Sequence, residues 1–302
     1  MTTVLSALLP LFALIALGYA ARLLGWPKPP VWRAVERLTY YVLFPALLFT
    51  SLATTSLAGE GRIAAALAVA AIATAVLALS VRKPLRVSGA TFSSVLQGAI
   101  RPNTYVGVGA ALALWGSHGV ALAAVGLATV IPTVNVISVV GLIHYVGGGA
   151  KRRLSPVAAL VLNPLILSCF AGLAANGLAW HPPVWIMGAL KLLGQASLPL
   201  GLLAVGAALQ LSGFRARLPA VGAACAFKLA VAPALTALLL ALFGVRGLAF
   251  TVAAMYMGVP ASASSYVLAV EMGGDRDTMA TIVSVSTILS ALTLPAVVLL
   301  AR

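Results

Sequence analysis

The chain has 302 residues, of which 62% are apolar and 8% charged, with a formal net charge of +14. Soluble domains run roughly 45–50% apolar and about 25% charged, so this composition excludes a soluble globular protein. The same apolarity excludes a disordered chain. On a soluble domain the basic excess would point to nucleic acid. Here the basic residues are confined largely to short breaks between apolar stretches, which makes the lipid bilayer the partner and not nucleic acid.

A bilayer-crossing helix needs about 20 mainly apolar residues, because each residue rises 1.5 Å through roughly 30 Å of hydrocarbon. In chain order the sequence predicts spans at Val4–Leu24, Val35–Leu57, Arg62–Val81, Ser88–Trp115, Val120–Val146, Pro156–Trp180, Pro183–Leu211, Leu218–Phe243, Gly247–Glu271 and Thr278–Ala301. The first span has no basic residue before Arg22 and reads as a retained membrane helix, not a cleaved signal. Separators such as Trp26-Pro27-Lys28-Pro29-Pro30 and Gly147-Gly148-Gly149 do not continue a helix. Cys169 and Cys225 lie inside apolar stretches with no metal-ligand spacing around them.

The basic residues set the orientation, because cytoplasmic loops collect Lys and Arg. Alternate loops hold Arg22, Lys28, Arg33 and Arg37; Arg82, Lys83 and Arg86; Lys151, Arg152 and Arg153; Arg215 and Arg217; and Arg276. The opposite side has only Arg62, Arg246 and Arg302, and three more, Arg101, Lys191 and Lys228, fall inside spans. With ten spans both termini are expected on the non-cytoplasmic side of a multi-pass protein.

A short internal repeat divides the chain. Gly18-Tyr19-Ala20-Ala21-Arg22 precedes Pro29-Pro30-Val31-Trp32 and Pro45; Gly172-Leu173-Ala174-Ala175-Asn176 precedes Pro182-Pro183-Val184-Trp185 and Pro199. Glycine and span proline are 27 residues apart in both halves. Residues 1–146 and 156–302 are thus expected to be two five-helix repeats joined by a short cytoplasmic linker, 147–155. Five is odd, so the halves take opposite membrane topology, as in secondary transporters with a midplane substrate site.

Enzymatic motifs are missing. His118, His144 and His181 are far apart, and the acids Glu36, Glu60, Glu271, Asp275 and Asp277 all lie at span ends or in loops. The sequence therefore predicts neither catalytic residues, nor a metal centre, nor a cofactor. The chemistry lies in polar residues at depth. Arg101-Pro102-Asn103-Thr104 begins about 20 Å into the fourth span, Pro260 about 20 Å into the ninth from the opposite face, and Lys228 about 15 Å into the eighth. A Lys or Arg at the centre costs about 2.5–3.5 kcal/mol on insertion scales, and an interior proline about 3 kcal/mol. Such features persist where they are packed in protein or line a wet cavity. Two broken helices are expected to cross near the midplane, with Asn103, Thr104, Ser262, Ser264 and Ser265 beside the breaks and half-helix N-termini suited to an anion.

Several of these residues carry two readings. Arg101 either faces the crossing or snorkels outward. Lys228 either meets substrate or neutralises the negative C-terminal ends of broken helices. Asn135 and Asn163 either bridge helices or contact ligand. Ser262-Ala263-Ser264 serves close packing, site lining or both. Pro45, Pro164, Pro199 and Pro233 read as kinks, and Lys191, only about 10 Å deep, as a snorkelling residue.

Taken together, Arg101-Pro102-Asn103-Thr104 with Gly107 and Trp115-Gly116, Tyr256-Met257-Gly258-Val259-Pro260, Tyr40-Tyr41-Val42-Leu43-Phe44-Pro45, Pro132 with Asn135, Leu198-Pro199, and Lys228 with Pro233 resemble the auxin efflux carrier family over nearly the whole chain. That family includes plant PIN-type auxin exporters and bacterial organic-acid carriers. The resemblance implies an all-α integral membrane protein of ten transmembrane helices, in two inverted five-helix repeats with broken crossover helices at the fourth and ninth positions, working by an elevator-like motion. It also implies that Asn103 contacts a substrate carboxylate, that Pro260 is the proline of the second crossover, and that the chain sits in a bacterial inner membrane as a homodimer. Gly109 stands where family members often carry proline, and the long hydrophilic central loop of many plant members is absent.

The expected function is a secondary transporter, an efflux carrier of small organic anions, with substrate-binding candidates Asn103, Thr104, Arg101, Pro260, Ser262, Ser264, Lys228 and Asn135. With no acid at the midplane, uniport driven by membrane potential or weak coupling through neutral oxygens is expected. The alternatives are a sodium-coupled carrier of the bile-acid-transporter type and a non-transporting membrane sensor.

Overall fold

Within lipid each backbone N–H and C=O must find a partner inside its own segment or a closed sheet, and this chain takes the helical solution. The computed structural model describes residues 2–54, 61–146, 163–180, 182–210 and 217–301, and among them every regular element is a helix. The predicted linker 147–155 with its three basic residues, together with Glu60, His181, Arg215 and Arg302, lies outside the described residues.

In chain order the helices are α1 Thr2–Leu23, α2 Pro29–Leu38, α3 Phe44–Thr54, α4 Gly61–Leu79, the single turn α5 Arg82–Leu85, α6 Gly89–Ile100 and α7 Thr104–Val146. They continue with α8 Pro164–Gly177, α9 Val184–Ala208, α10 Leu218–Ala226, α11 Ala232–Leu242, α12 Gly247–Gly258, α13 Ser264–Met272 and α14 Arg276–Leu300. Among the described residues, six helical stretches are long and apolar enough to cross a membrane: Val4–Leu23, Gly61–Leu79, Thr104–Val146, Val184–Ala208, Leu218–Leu242 and Arg276–Leu300. Pro164–Gly177 and Gly247–Gly258 are apolar but shorter. The protein is therefore an all-α membrane protein.

Local chemistry explains the boundaries. Thr39–Leu43 joins α2 to α3 and Phe227–Val231 joins α10 to α11, each as a π turn. Both end two residues before a proline, Pro45 or Pro233, whose ring would press on the carbonyl four residues back. That carbonyl belongs to Tyr41 or Leu229, inside the widened turn, so the extra residue relieves the clash. The helix containing the second predicted span consequently starts at Pro29, six residues before Val35. Within α7, Gly116 has φ 61° and ψ −150°, a non-helical kink at which two helices meet and which separates the fourth and fifth predicted spans. Pro164 is no kink: it opens α8, while Asn163 caps it, accepting from Leu165 N at 3.0 Å and Ile166 N at 3.4 Å. Asn163 is thus a local cap and not the helix bridge the sequence suggested.

Contacts divide the chain into two units, each drawing on both sequence halves: Met1–Glu60, Tyr105–Ala128 and Ala159–Ala208 form one, and Gly61–Thr104, Thr129–Ala158 and Leu209–Arg302 the other. In the first, glycines bring helices into backbone contact. A Cβ on Gly18 would strike the Leu203 carbonyl, and one on Gly172 would come within 3.0 Å of the Phe49 carbonyl. Beside these contacts, Arg22 Nη1 donates to Ala207 O at 3.2 Å and Asn176 Nδ2 to Leu52 O at 2.9 Å.

In the second unit, α6 packs against α10 and α14, around a core that includes Phe92, Val95, Val221, Ala224 and Ile282. One end of this unit is polar and basic. Arg82 stacks over Phe92 and Tyr145 at 5.4 and 5.9 Å and donates to Val87 O, and Arg217 pairs with Asp277 at 3.2 Å. There Asp275 caps α14, accepting from Thr278 N at 3.0 Å, Thr278 Oγ1 at 2.6 Å and Thr91 Oγ1 at 2.9 Å.

Candidate functional site

Two interruptions dominate the second unit. The α6 helix stops at Ile100 and α7 starts at Thr104; α12 stops at Gly258 and α13 starts at Ser264. The cause is local in both cases. Pro102 and Pro260 push the preceding residue out of the helical region: Arg101 has φ −84°, ψ 111° and Val259 φ −69°, ψ 160°.

The two connectors solve each other's hydrogen-bonding problem. Pro102 and Ala261 form an antiparallel bridge, in which Asn103 N donates to Pro260 O at 2.8 Å and Ser262 N to Arg101 O at 3.0 Å. A further connector donor, Ala261 N, reaches Ser286 Oγ on α14 at 3.1 Å. Side chains then fix the crossing. Arg101, 8% exposed, donates from Nη1 to Asn135 Oδ1 at 2.7 Å and from Nη2 to Ser264 Oγ at 3.0 Å. The outward, snorkelling reading of Arg101 is therefore set aside. Ser264 Oγ also meets Ser262 Oγ at 2.9 Å, so one short polar chain runs Asn135–Arg101–Ser264–Ser262.

Lys228 is fully buried, and its Nζ donates to Met257 O at 2.7 Å. That carbonyl belongs to the last turn of α12, which the break deprives of its onward partners. Of the two readings of Lys228, the contact at a broken helix end is the one the geometry displays. Asn103 and Thr104 are 2% and 9% exposed, at the connector's end and the first position of α7.

All eight candidate residues thus lie in the second unit. Arg101, Asn135, Ser262 and Ser264 are joined by side chains, Asn103 and Pro260 by backbone, and Lys228 reaches the same break through Met257. Helix starts at Thr104 and Ser264 bring N-terminal N–H groups, and their positive partial charge, to this region. The arrangement combines a guanidinium, an ammonium, hydroxyls and an asparagine with no acid among the neighbours just named, a set suited to holding a carboxylate.

Sequence reasoning missed the polar backing of the site. Ser284, Ser286, Thr287 and Ser290 are buried on α14, and Gln97, one turn before Arg101 on α6, is fully buried with no partner for either amide atom among the described residues. The signal was present. Gln97 and Arg101 stand four apart on one helical face, and Ser284, Thr287 and Ser290 recur every three residues on α14.

The profile of a family described as membrane transport protein matches residues 153–298. A Rhizobium meliloti (strain 1021) protein named "Putative malonate transporter" is 28% identical over 199 residues, which is 61% of this chain and 62% of that protein. The match therefore spans less than two thirds of the relative's length. With the motifs at both breaks, these similarities support the resemblance to the auxin efflux carrier family of membrane transport proteins.

Proposed function

We propose that the chain is a secondary transporter of small organic anions, with short-chain carboxylates as the substrate class and the paired breaks as the substrate site. The observation that carries this reading is the buried Arg101 locked beside two helix starts, with Lys228 at the end of α12. Fixed positive groups at membrane depth oppose cations and favour a carboxylate. In this reading Asn103 and Thr104 contact the carboxylate, Arg101 and Lys228 supply the field, and Ser262, Ser264, Asn135 and Pro260 shape the crossing. The name of the Rhizobium meliloti relative supports a dicarboxylate such as malonate.

The proposed architecture is ten spans in two inverted halves, 1–146 and 156–302, joined through 147–155. Reciprocal packing supports it. Gly18 abuts Leu203 while Gly172 abuts Phe49, and the same offset relates 18 to 172 and 49 to 203. Arg22 and Asn176, equivalent in the repeat, each donate to a carbonyl of the opposite half. Transport proceeds by alternating access, with the unit that carries all eight candidates as the moving body. The basic end of that unit faces the cytoplasm, which puts both termini outside it, in a bacterial inner membrane.

The potential contributes about 2.3 kcal/mol per charge per 100 mV, so a negative-inside cell drives an anion outward and efflux is the favoured direction. The deciding experiment is counterflow of small carboxylates in proteoliposomes, preceded by a thermal-shift screen to choose the substrate. Asn103→Ala is expected to fold and to lose exchange. Exchange at the wild-type rate would remove Asn103 from the site. Binding without counterflow would overturn the transporter reading in favour of a sensor, and a severalfold acceleration by a sodium gradient would make the carrier sodium-coupled.

A further inference from the structure

Only Arg62, Arg246 and Arg302 fall on the sparsely charged side of the predicted topology. The two that lie among the described residues border the same place. Arg62 opens α4, and its Nη1 comes within 3.7 Å of the position a Cβ on Gly244 would take. Arg246, two residues later, immediately precedes α12. Both are exposed, and among the described residues neither forms a salt bridge.

Beside Arg246 lies a cavity of about 320 Å³, which shares the walls Phe250, Leu300 and Ala301 with a second cavity of about 370 Å³. The second continues along α11, and alanines make up half of its lining, among them Ala230, Ala234, Ala237, Ala254 and Ala296, with Leu229, Phe250 and Leu300 among the rest. From Ala241 in the first to Leu229 in the second is twelve residues, about 18 Å of helix. That is close to the depth of one leaflet, half of the roughly 30 Å hydrocarbon layer. Around this recess the helices carry bulky exposed side chains: Leu238 at 56%, Leu242 at 72% and Leu292 at 78%. The result is an apolar slot, one leaflet deep, with two guanidiniums at its mouth.

We propose that this slot is a binding site for one anionic glycerophospholipid. An acyl chain fills the alanine-lined recess, and the phosphate sits between Arg62 and Arg246. Hydrocarbon attracts hydrocarbon weakly within a bilayer, so the slot's gain comes from close packing against small side chains. Selectivity comes from the mouth, because guanidinium–phosphate hydrogen bonds are charge-assisted and forked. The start of α12 at Gly247, which no side chain caps, adds positive partial charge on the same side. The slot is distinct from the paired breaks, and its occupancy is read by binding alone, without transport.

The test uses the full chain in detergent with added lipid, read by native mass spectrometry and by thermal unfolding. Phosphatidylglycerol is expected to leave a one-to-one adduct and to raise the unfolding temperature, since a ligand bound only by the folded state stabilises it. Phosphatidylcholine of the same chain length is expected to do neither. The double substitution Arg62→Gln with Arg246→Gln removes the adduct, as does filling the slot with Ala237→Trp or the milder Ala296→Leu. Arg33→Gln, an exposed charge elsewhere, leaves it intact. An adduct that survives the double substitution, or forms equally with phosphatidylcholine, would overturn the proposal. So would binding of glycerol 3-phosphate alone, which would mark a free-anion site. A dimer that Ala237→Trp converts to monomer would assign the slot to a second copy of the chain and refute the lipid.

Discussion

Replacing Arg101 with methionine separates fold from function at the crossing. The substitution removes two hydrogen bonds from a charged donor, at 2.7 Å to Asn135 and 3.0 Å to Ser264. In a soluble core each would cost about 1.5–3 kcal/mol. Polar pairs between membrane helices are measured nearer 0.6 kcal/mol on average and at most about 1.7. Against this loss stands the recovered cost of burying a guanidinium, about 2.5–3.5 kcal/mol on insertion scales. The terms nearly cancel, so Arg101→Met is expected to unfold within a few degrees of the parent in detergent. Flux should nevertheless fall by an order of magnitude or more, because the connector loses its tie to α7 and α13. Arg101→Lys keeps the charge but cannot fork to both acceptors, and should restore less than half of the rate. Adding Asn135→Ala to Arg101→Met should cost nothing further, since both changes delete one contact. Independent, additive losses of flux, or wild-type transport by Arg101→Met, would refute this account.

Three further expectations follow from particular contacts. Gly18→Leu and Gly172→Leu each force a side chain into a neighbouring helix backbone and should destabilise by 3 kcal/mol or more (overpacking typically costs about 1–3), whereas Gly188→Leu, with nothing within 4 Å of its would-be Cβ, should leave thermal stability unchanged. Ser286→Ala strands the buried Ala261 N–H at the second break and should cost about 1–3 kcal/mol, measured against Ser286→Thr, which keeps a hydroxyl. At Asp275, burial raises the carboxyl pKa, but hydrogen bonds from Thr278 and Thr91 and the Arg217 charge outweigh it and hold the group below its ordinary value. A depressed folded pKa adds stability above the unfolded value that disappears as pH falls through the folded one. Asp275→Asn should therefore flatten the acid limb of a stability-against-pH curve and leave the neutral region least sensitive to pH.

What was legible in the sequence was whatever had a strong one-dimensional signature. Apolar length gave the helical membrane character, and proline at depth, beside Arg101 in one case and close to Gly258 in the other, gave both breaks, because each is improbable in lipid without a structural reason. All eight candidates lie in one unit. The breaks' mutual pairing was not legible, since a bridge of two hydrogen bonds between residues 102 and 261 leaves no periodic trace. Nor were the π turns, whose cause is a proline two residues beyond the turn. The units interleave pieces of both halves, and only long-range packing reveals that. Gly18 and Gly172 illustrate the boundary. The repeat marked them as equivalent, but that each meets the helix equivalent to the other's partner is a fact about contacts.

The crossing also explains why prolines serve the interruptions so well. A broken helix at membrane depth leaves N–H groups with no water to receive them. Pro102 and Pro260 carry none, so each connector loses a donor at the point where the helical partner is lost. Of the donors left, Asn103 and Ser262 face each other's strand, and Ala261 takes a hydroxyl from α14. On the acceptor side, the Met257 carbonyl receives the Lys228 ammonium. Two interruptions are therefore cheaper together than either alone, because each supplies half of the other's bridge. The consequence is testable in pairs. Restoring one helix with Pro260→Ala should harm stability, since an unbroken α12 would withdraw the Pro260 carbonyl from Asn103 and the Arg101 carbonyl's donor with it. If Pro260→Ala instead stabilised the chain and left Arg101→Met unaffected, the breaks would be independent and this coupling would be wrong.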